Sequence, residues 1–310
     1  MKSHARILLL GALTLSSVLA GEQTFERGLM GTRFAINCHT DDPALAKQAA
    51  DAAFAEAERI NQVASDYIAD SELLELGRHP AGTPVQVSPL LFQLLSDAMN
   101  LAEKSDGAFD PTLGPFTRLW RESRRRHHLP DPATLEAASS ATGWRNLSLD
   151  ALQSTVTFTK PGMRLDLGGI AKGQTADAML FILKQSGITR ACITAGGDVR
   201  LGDPPPACSG WKIGVRTFDK DRNTRVLELS NCAVSTSGDL HQSITIEGIR
   251  YSHIIDPTTG LGLTREIAAT VIAPNATLSD ALATACCAAP VGKARSMAIA
   301  AGATEVYLEE

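Results

Sequence analysis

Asp280 and Thr284 lie four residues apart in Ser279-Asp280-Ala281-Leu282-Ala283-Thr284, inside a segment whose apolar spacing predicts a helix over 276–289. Side chains at i and i+4 share one helical face. A carboxylate and a hydroxyl there are hard oxygen ligands, suited to magnesium rather than zinc or copper. The ordinary alternative is a surface acid beside a back-bonded threonine. Against it, the flanking Ala281, Leu282, Ala283 and Ala285 are small and apolar, so an acid in that setting calls for an explanation.

A second segment is Leu165-Asp166-Leu167-Gly168-Gly169-Ile170-Ala171-Lys172-Gly173, running into a predicted helix from Gln174. A strand that ends in an acid, two glycines and a helix start brings backbone N–H groups close to a phosphate. Lys172 adds a cation at that end. No serine or threonine follows the lysine, so this is not a P-loop, and a tight corner is the bland alternative. Thr194-Ala195-Gly196-Gly197-Asp198 is a similar glycine turn after a strand, equally readable as a ligand-facing loop or a plain turn. Ser235-Thr236-Ser237-Gly238-Asp239 is a run of hydroxyls without apolar period, read as a ligand-binding or turn-capping loop.

The segment Tyr251-Ser252-His253-Ile254-Ile255-Asp256-Pro257-Thr258-Thr259-Gly260 puts a histidine at a strand end. An imidazole there can act as a base, with Asp256 three residues on as a group able to orient it. An isolated histidine is more often a turn residue; the loop chemistry around this one favours function.

Mixed helices and strands must hold these residues. Apolar period predicts helices at 44–64, 89–104, 132–141, 171–186, 276–289 and 291–301. Strand-like runs fall at 155–159, 164–167, 191–194, 212–215, 226–229 and 268–272. Residues 244–246 and 249–255 read as a hairpin closed by Glu247-Gly248. Residues 203–210 read as a rigid loop, and no repeat or low-complexity tract is present. The expected architecture is α+β, one compact unit of mixed sheets with packed helices over 21–310.

The first twenty residues read as a signal peptide. Lys2, His4 and Arg6 precede an apolar run, 7–19, and Val18 and Ala20 supply the small residues before a cut after Ala20. No cysteine follows that run, so a lipid anchor is not expected. No later apolar run reaches the roughly 18 residues of a membrane helix. With 29 basic and 34 acidic residues among 310, the net charge of −5 has no block of one sign, which argues against nucleic acid as a partner. The densest basic stretch, 121–128 (RESRRRHH), reads as a solvated loop. The six cysteines show no metal spacing. Cys192, Cys286 and Cys287 read as small buried hydrophobes, and Cys208 with Cys232 is a pair whose bonding the spacing leaves open.

Taken in order, these segments resemble the ApbE family of FAD:protein FMN transferases. The likeness runs from about Met30 onward: Met30-Gly31-Thr32; Tyr67 with Asp70-Ser71-Glu72-Leu73; and Ser105-Asp106-Gly107-Ala108-Phe109-Asp110-Pro111-Thr112 with Gly114-Pro115 and Leu119-Trp120. The DLGGIAKG, AGGD, STSGD, HIIDPTTG and SDALAT segments complete it. The resemblance implies cleavage of the FAD pyrophosphate with transfer of FMN to a threonine or serine hydroxyl of a target protein, AMP leaving and magnesium required. It implies FAD contacts at Met30, Tyr67, Ala108, Phe109, Asp110, Asp166, Lys172 and Ile254. It places the metal at Gly169 (through its carbonyl), Asp280 and Thr284, and catalysis at His253. Exported family members serve flavin-carrying subunits of membrane redox complexes, so FAD and such a subunit are the expected partners and the periplasm the expected location. Many carry a lipobox cysteine where this chain has Ala20-Gly21. A magnesium-dependent FAD pyrophosphatase and a non-enzymatic FAD-binding protein are the competing readings.

Overall fold

The structure is a computed structural model that describes residues 21–215, 225–238 and 243–309. The expected signal peptide and Asp239 lie outside the described residues. In chain order the elements are β1 (Glu22–Leu29), β2 (Thr32–His39), α1 (Pro43–Ala64), α2 (Glu72–Leu76), β3 (Val85–Gln86), α3 (Pro89–Lys104), α4 (Gly114–Arg126) and α5 (Pro132–Ser140). Then come β4 (Leu147–Asp150), β5 (Thr155–Phe158), α6 (Ala171–Gln185), β6 (Ala191–Ala195), β7 (Asp198–Leu201), β8 (Trp211–Val215) and β9 (Arg225–Leu229). The last are β10 (Ala233–Gly238), β11 (Ser243–Ile246), β12 (Ile249–Ser252), β13 (Ala268–Ala273), α7 (Ala276–Ala288), α8 (Ala294–Ala301) and β14 (Glu305–Glu309).

Seven strands form one antiparallel sheet in the order β1-β2-β6-β7-β10-β13-β14. Strand alternation sorts its two faces. Ile193 and Ala195 of β6 and Ala233 of β10 join Ala49, Ala53, Phe54, Met179 and Leu183 of α1 and α6 in one buried cluster. Their neighbours Cys192, Val199, Leu201, Val234 and Ile272 point the other way, onto Trp211 and Ile213 of the small β8–β9 sheet. The largest cluster joins α3, α7, α8 and the three-stranded sheet β3-β5-β4 through Leu91, Leu95, Val156, Leu167, Leu282 and Ala298. The architecture is thus α+β and one compact unit, as expected.

The six expected helices are present within three residues at each end. Four readings are corrected. Residues 121–126 are not loop but the last turns of α4, which ends on His127 in the left-handed conformation (φ 54°). Phe116, Trp120 and Ser123 are buried on one face of that helix, while arginine, a good helix former, fills the rest and hides the apolar period. Residues 164–167 form no strand; Arg164 makes a single bridge to Leu113. Residues 235–238 belong to strand β10, where Ser235 and Ser237 face α7 while the exposed Thr236 pairs with Thr270 of the neighbouring strand. The strand expected to run to Ile255 ends at Ser252. No described helix is long and apolar enough to cross a membrane.

Candidate active site

The helices α6 and α7 cross where Gly173 has no side chain. A Cβ there would stand 2.1 Å from the Ala276 carbonyl oxygen and 2.9 Å from Asp280 Cβ. Because the approach is that close, the Gly173 N–H donates to Asp280 Oδ2 at 2.9 Å. Lys172 Nζ donates to both carboxylate oxygens of Asp280, at 3.1 and 3.2 Å. The acid that stood out among small apolar neighbours is therefore buried and paired. Lys172 also stands 3.1 Å from Oδ2 of Asp198, which is 3% exposed. That contact lies off hydrogen-bond alignment, so Asp198 Oδ2 receives no directed donor. Burial alone would lower the Lys172 pKa, but the charges of Asp198 and Asp280 outweigh it and hold the ammonium above its ordinary value. Burial, then the Asp280 charge, pushes Asp198 above the usual carboxylate range.

One turn further along α7, Thr284 Oγ1 lies 3.2 Å from Ser237 Oγ of β10. Ser235, two residues back on the same strand face, meets Ser279 Oγ at 2.8 Å. Gly169 abuts this corner: a Cβ there would fall 3.2 Å from Thr284 Oγ1 and 3.4 Å from the Phe109 ring. Asp177 anchors the start of α7 by accepting from Ala276 N, Thr277 N and Thr277 Oγ1, and it pairs with Arg200. The expected metal residues thus share one corner, and a cation, Lys172, already stands on Asp280. Hard oxygen donors around a bound positive charge fit a magnesium ion. Among the described residues no group of three or more His, Cys, Asp or Glu is placed to hold a metal ion.

On the other side of the glycine turn, Asp166 Oδ1 accepts from Gly168 N at 2.7 Å and Oδ2 lies 3.4 Å from Arg121. Arg121 also pairs with Asp66 at 2.5 Å and lies over the Tyr67 ring at 4.1 Å. Burial, then the Asp166 charge, raises the Asp66 pKa against the opposing Arg121 bond. Tyr67 is 76% exposed, an open aromatic face on a cavity of about 780 Å³ lined also by Asp66, Arg118, Arg121, Arg164 and Leu165. That volume suits a drug-sized or nucleotide-sized ligand.

Met30 occupies the two-residue β1–β2 turn with Gly31, at φ 49° and 70°. Both are positive, as a type I′ turn demands, and methionine is an unusual choice there. Its sulfur accepts from Thr175 Oγ1 of α6 at 3.7 Å. Next to it the Gly196–Gly197 turn packs on Thr32: a Cβ on Gly196 would sit 2.9 Å from Thr32 Oγ1. Phe109 is buried, its N–H donating to Ser105 Oγ, and Ala108 is half-buried beside it. Asp110 accepts from Thr112 N, Thr112 Oγ1 and Trp144 N, bonds that hold the loop before α4.

His253 follows β12 directly and is half-buried. Trp120 Nε1 of α4 donates to the Ser252 carbonyl at 3.0 Å, and Ile254 N donates to Ser252 Oγ. Ile254 packs in the same apolar cluster as Phe109, Leu165, Leu167 and Ala281, which ties the histidine loop to the glycine turn. Asp256 Oδ1 accepts from Thr258 N, closing its own turn.

Sequence reasoning passed over Asp198 as a carboxylate and Asp66 and Asp177 altogether, and it placed Arg121 in a solvated loop. Asp198 had a signal in its glycine turn. The other three had none, because their partners lie 23 to 100 residues away.

A sequence model of the ApbE family matches residues 30–308. The FAD:protein FMN transferase of Treponema pallidum (strain Nichols) is 34% identical over 275 residues, covering 83% of this chain and 76% of its own. That of Vibrio cholerae serotype O1 is 32% identical over 248 residues, covering 78% and 73%. Among solved structures, the flavin transferase ApbE from Vibrio cholerae superposes with a TM-score of 0.82 at 27% identity, covering 93% of both chains. The Thermotoga maritima ApbE protein also reaches 0.82, at 30% identity over 93% of this chain and 96% of its own. The chain belongs to the ApbE family.

Proposed function

We propose that the chain transfers FMN from FAD to a threonine or serine hydroxyl of a target flavoprotein, with release of AMP. The observation that carries this reading is the corner of Gly169, Lys172, Asp280 and Thr284 in a chain of this family. The pyrophosphate of FAD is strongly anionic, so attack by an oxygen nucleophile needs positive charge and aligned donors at the phosphates. Lys172 supplies one fixed cation. Asp280, Thr284 and the Gly169 carbonyl would hold a magnesium ion, which when bound offsets phosphate charge as a Lewis acid.

In this reading the acceptor hydroxyl attacks the phosphorus on the FMN side. A new P–O bond forms, the bond to the AMP oxygen breaks, and the hydroxyl proton passes to the His253 imidazole. Tyr67 and Met30, with Ala108, Phe109, Asp110, Asp166 and Ile254, bind and orient FAD, so most of the rate gain is positioning. The exposed Tyr67 face and its Arg121 neighbour suit a flat conjugated ring.

The acceptor in this proposal is a flavin-carrying subunit of a membrane redox complex. Export to the periplasm rests on the charged, apolar, small-residue order of the first twenty residues. The test is incubation of the mature chain with FAD, magnesium and an acceptor fragment. A mass gain of one FMN on the fragment with stoichiometric AMP supports transfer. Free FMN and AMP with an unmodified fragment mean hydrolysis, and no AMP means binding without chemistry.

A further inference from the structure

Asp198 and Asp280 are both nearly inaccessible, and one ammonium serves them. Lys172 Nζ lies 3.1 Å from Asp198 Oδ2 and 3.1 Å from Asp280 Oδ1. The two acids are held differently. Asp280 sits on the α7 face it shares with Thr284 and also accepts the Gly173 N–H. Asp198 is a strand residue inside the seven-stranded sheet, in register with Ser235 of β10, whose hydroxyl helps hold its carboxylate, and its Oδ2 has no aligned donor. A divalent cation on Asp280 repels the ammonium that occupies the same carboxylate. A lysine displaced into the open would leave Asp198 as a buried uncompensated charge, a costly state.

We propose that Asp198 is the standing counter-ion of Lys172: it keeps hold of the ammonium when Asp280 turns to a divalent cation, so the lysine stays in the site. Asp198 is then a positioning residue that acts through Lys172. The role of the held lysine in transfer rests on the function proposed above; the pairing itself does not.

The experiment is a double-mutant cycle with Asp198→Asn and Lys172→Met, both close in size to the residues they replace. In EDTA, thermal unfolding reads the pairing without metal or substrate. Lys172→Met should lower Tm by several degrees, because two buried carboxylates then face each other. Adding Asp198→Asn to it should restore at least half of the loss, since independent sites would instead add their costs. Magnesium should raise the Tm of Lys172→Met more than that of wild type. With magnesium and FAD saturating, Asp198→Asn should cut the transfer kcat by up to about 100-fold, the cost of misplacing a positioned group, and cost nothing more in the Lys172→Met background. A crystal structure with magnesium should keep the Lys172–Asp198 contact and open the Lys172–Asp280 one.

A second full loss on adding Asp198→Asn to Lys172→Met, in Tm or in kcat, overturns the proposal. So does a magnesium-bound structure in which Lys172 stays on Asp280 and leaves Asp198. A wild-type chain that transfers no FMN sinks the proposed function alone, because the metal-free cycle still reads the pairing.

Discussion

Gly173 donates its backbone N–H to the Asp280 carboxylate at 2.9 Å, joining two helices whose contributing residues stand 107 apart in sequence. The bond exists only because no Cβ separates Gly173 from the Ala276 carbonyl. Gly173→Ala should therefore push α6 from α7. Overpacking of this kind costs about 1–3 kcal/mol, a fall in Tm of several degrees for a chain this size. The same shift withdraws Asp280 from its donor, so transfer should fall along with stability. Calorimetry beside an FMN-transfer assay checks both, and a variant with wild-type Tm and rate refutes the close-approach argument.

Asp280→Ala should abolish most transfer, by orders of magnitude, as loss of a metal-bound carboxylate does. The fold should survive, because Lys172 keeps Asp198 and the unpaired Gly173 N–H costs only about 1–3 kcal/mol. Thr284→Ala should be milder, since a neutral hydroxyl contributes less to a cation than a carboxylate does. EDTA should mimic Asp280→Ala in the wild type, with activity returning on added magnesium. Near-normal turnover of Asp280→Ala at limiting magnesium contradicts the assignment.

For His253 the expected result is separation of rate from binding. His253→Ala should slow transfer by about 10²- to 10⁴-fold, the range of a lost general base. FAD titration by fluorescence should change far less, because Tyr67, Met30 and the Lys172 corner remain. The wild-type rate should rise with pH as the imidazole loses its proton, and that limb should vanish in the variant. A loss of FAD affinity in proportion to rate makes His253 a ligand contact instead.

No disulfide joins Cys208 to Cys232. Burial pushes the Cys192 and Cys286 thiols up to about 12, and the Cys38 thiol up to about 11. A thiolate is the reactive form, so these three should resist a water-soluble thiol reagent near neutral pH while exposed Cys208 reacts at once. Mass spectrometry over a labelling time course reads this directly. Rapid labelling of Cys192 in the native protein contradicts the packing of the sheet.

The sequence by itself settled those elements whose order is local. The helices α1, α3, α6 and α7 follow from apolar spacing and from caps such as Asp42, Ser88 and Asn275, all within a few residues of what they stabilise. The candidate residues were legible for the same reason, since glycine turns and a carboxylate four residues from a hydroxyl are short-range patterns. Strand β10 was not legible. Ser235 and Ser237 look like loop residues until α7 supplies Ser279 and Thr284 as partners. The arginines of α4 hid a helix whose apolar face, Phe116 and Trp120, is defined by the α5 helix and the β11–β12 hairpin packed on it. Above all, nothing near Asp280 in the chain foretells Lys172, nor anything near Lys172 its second partner Asp198. Those charges meet because a sheet and two close-packed helices bury them together, and burial, which forces charges to find partners, is a property of the folded whole.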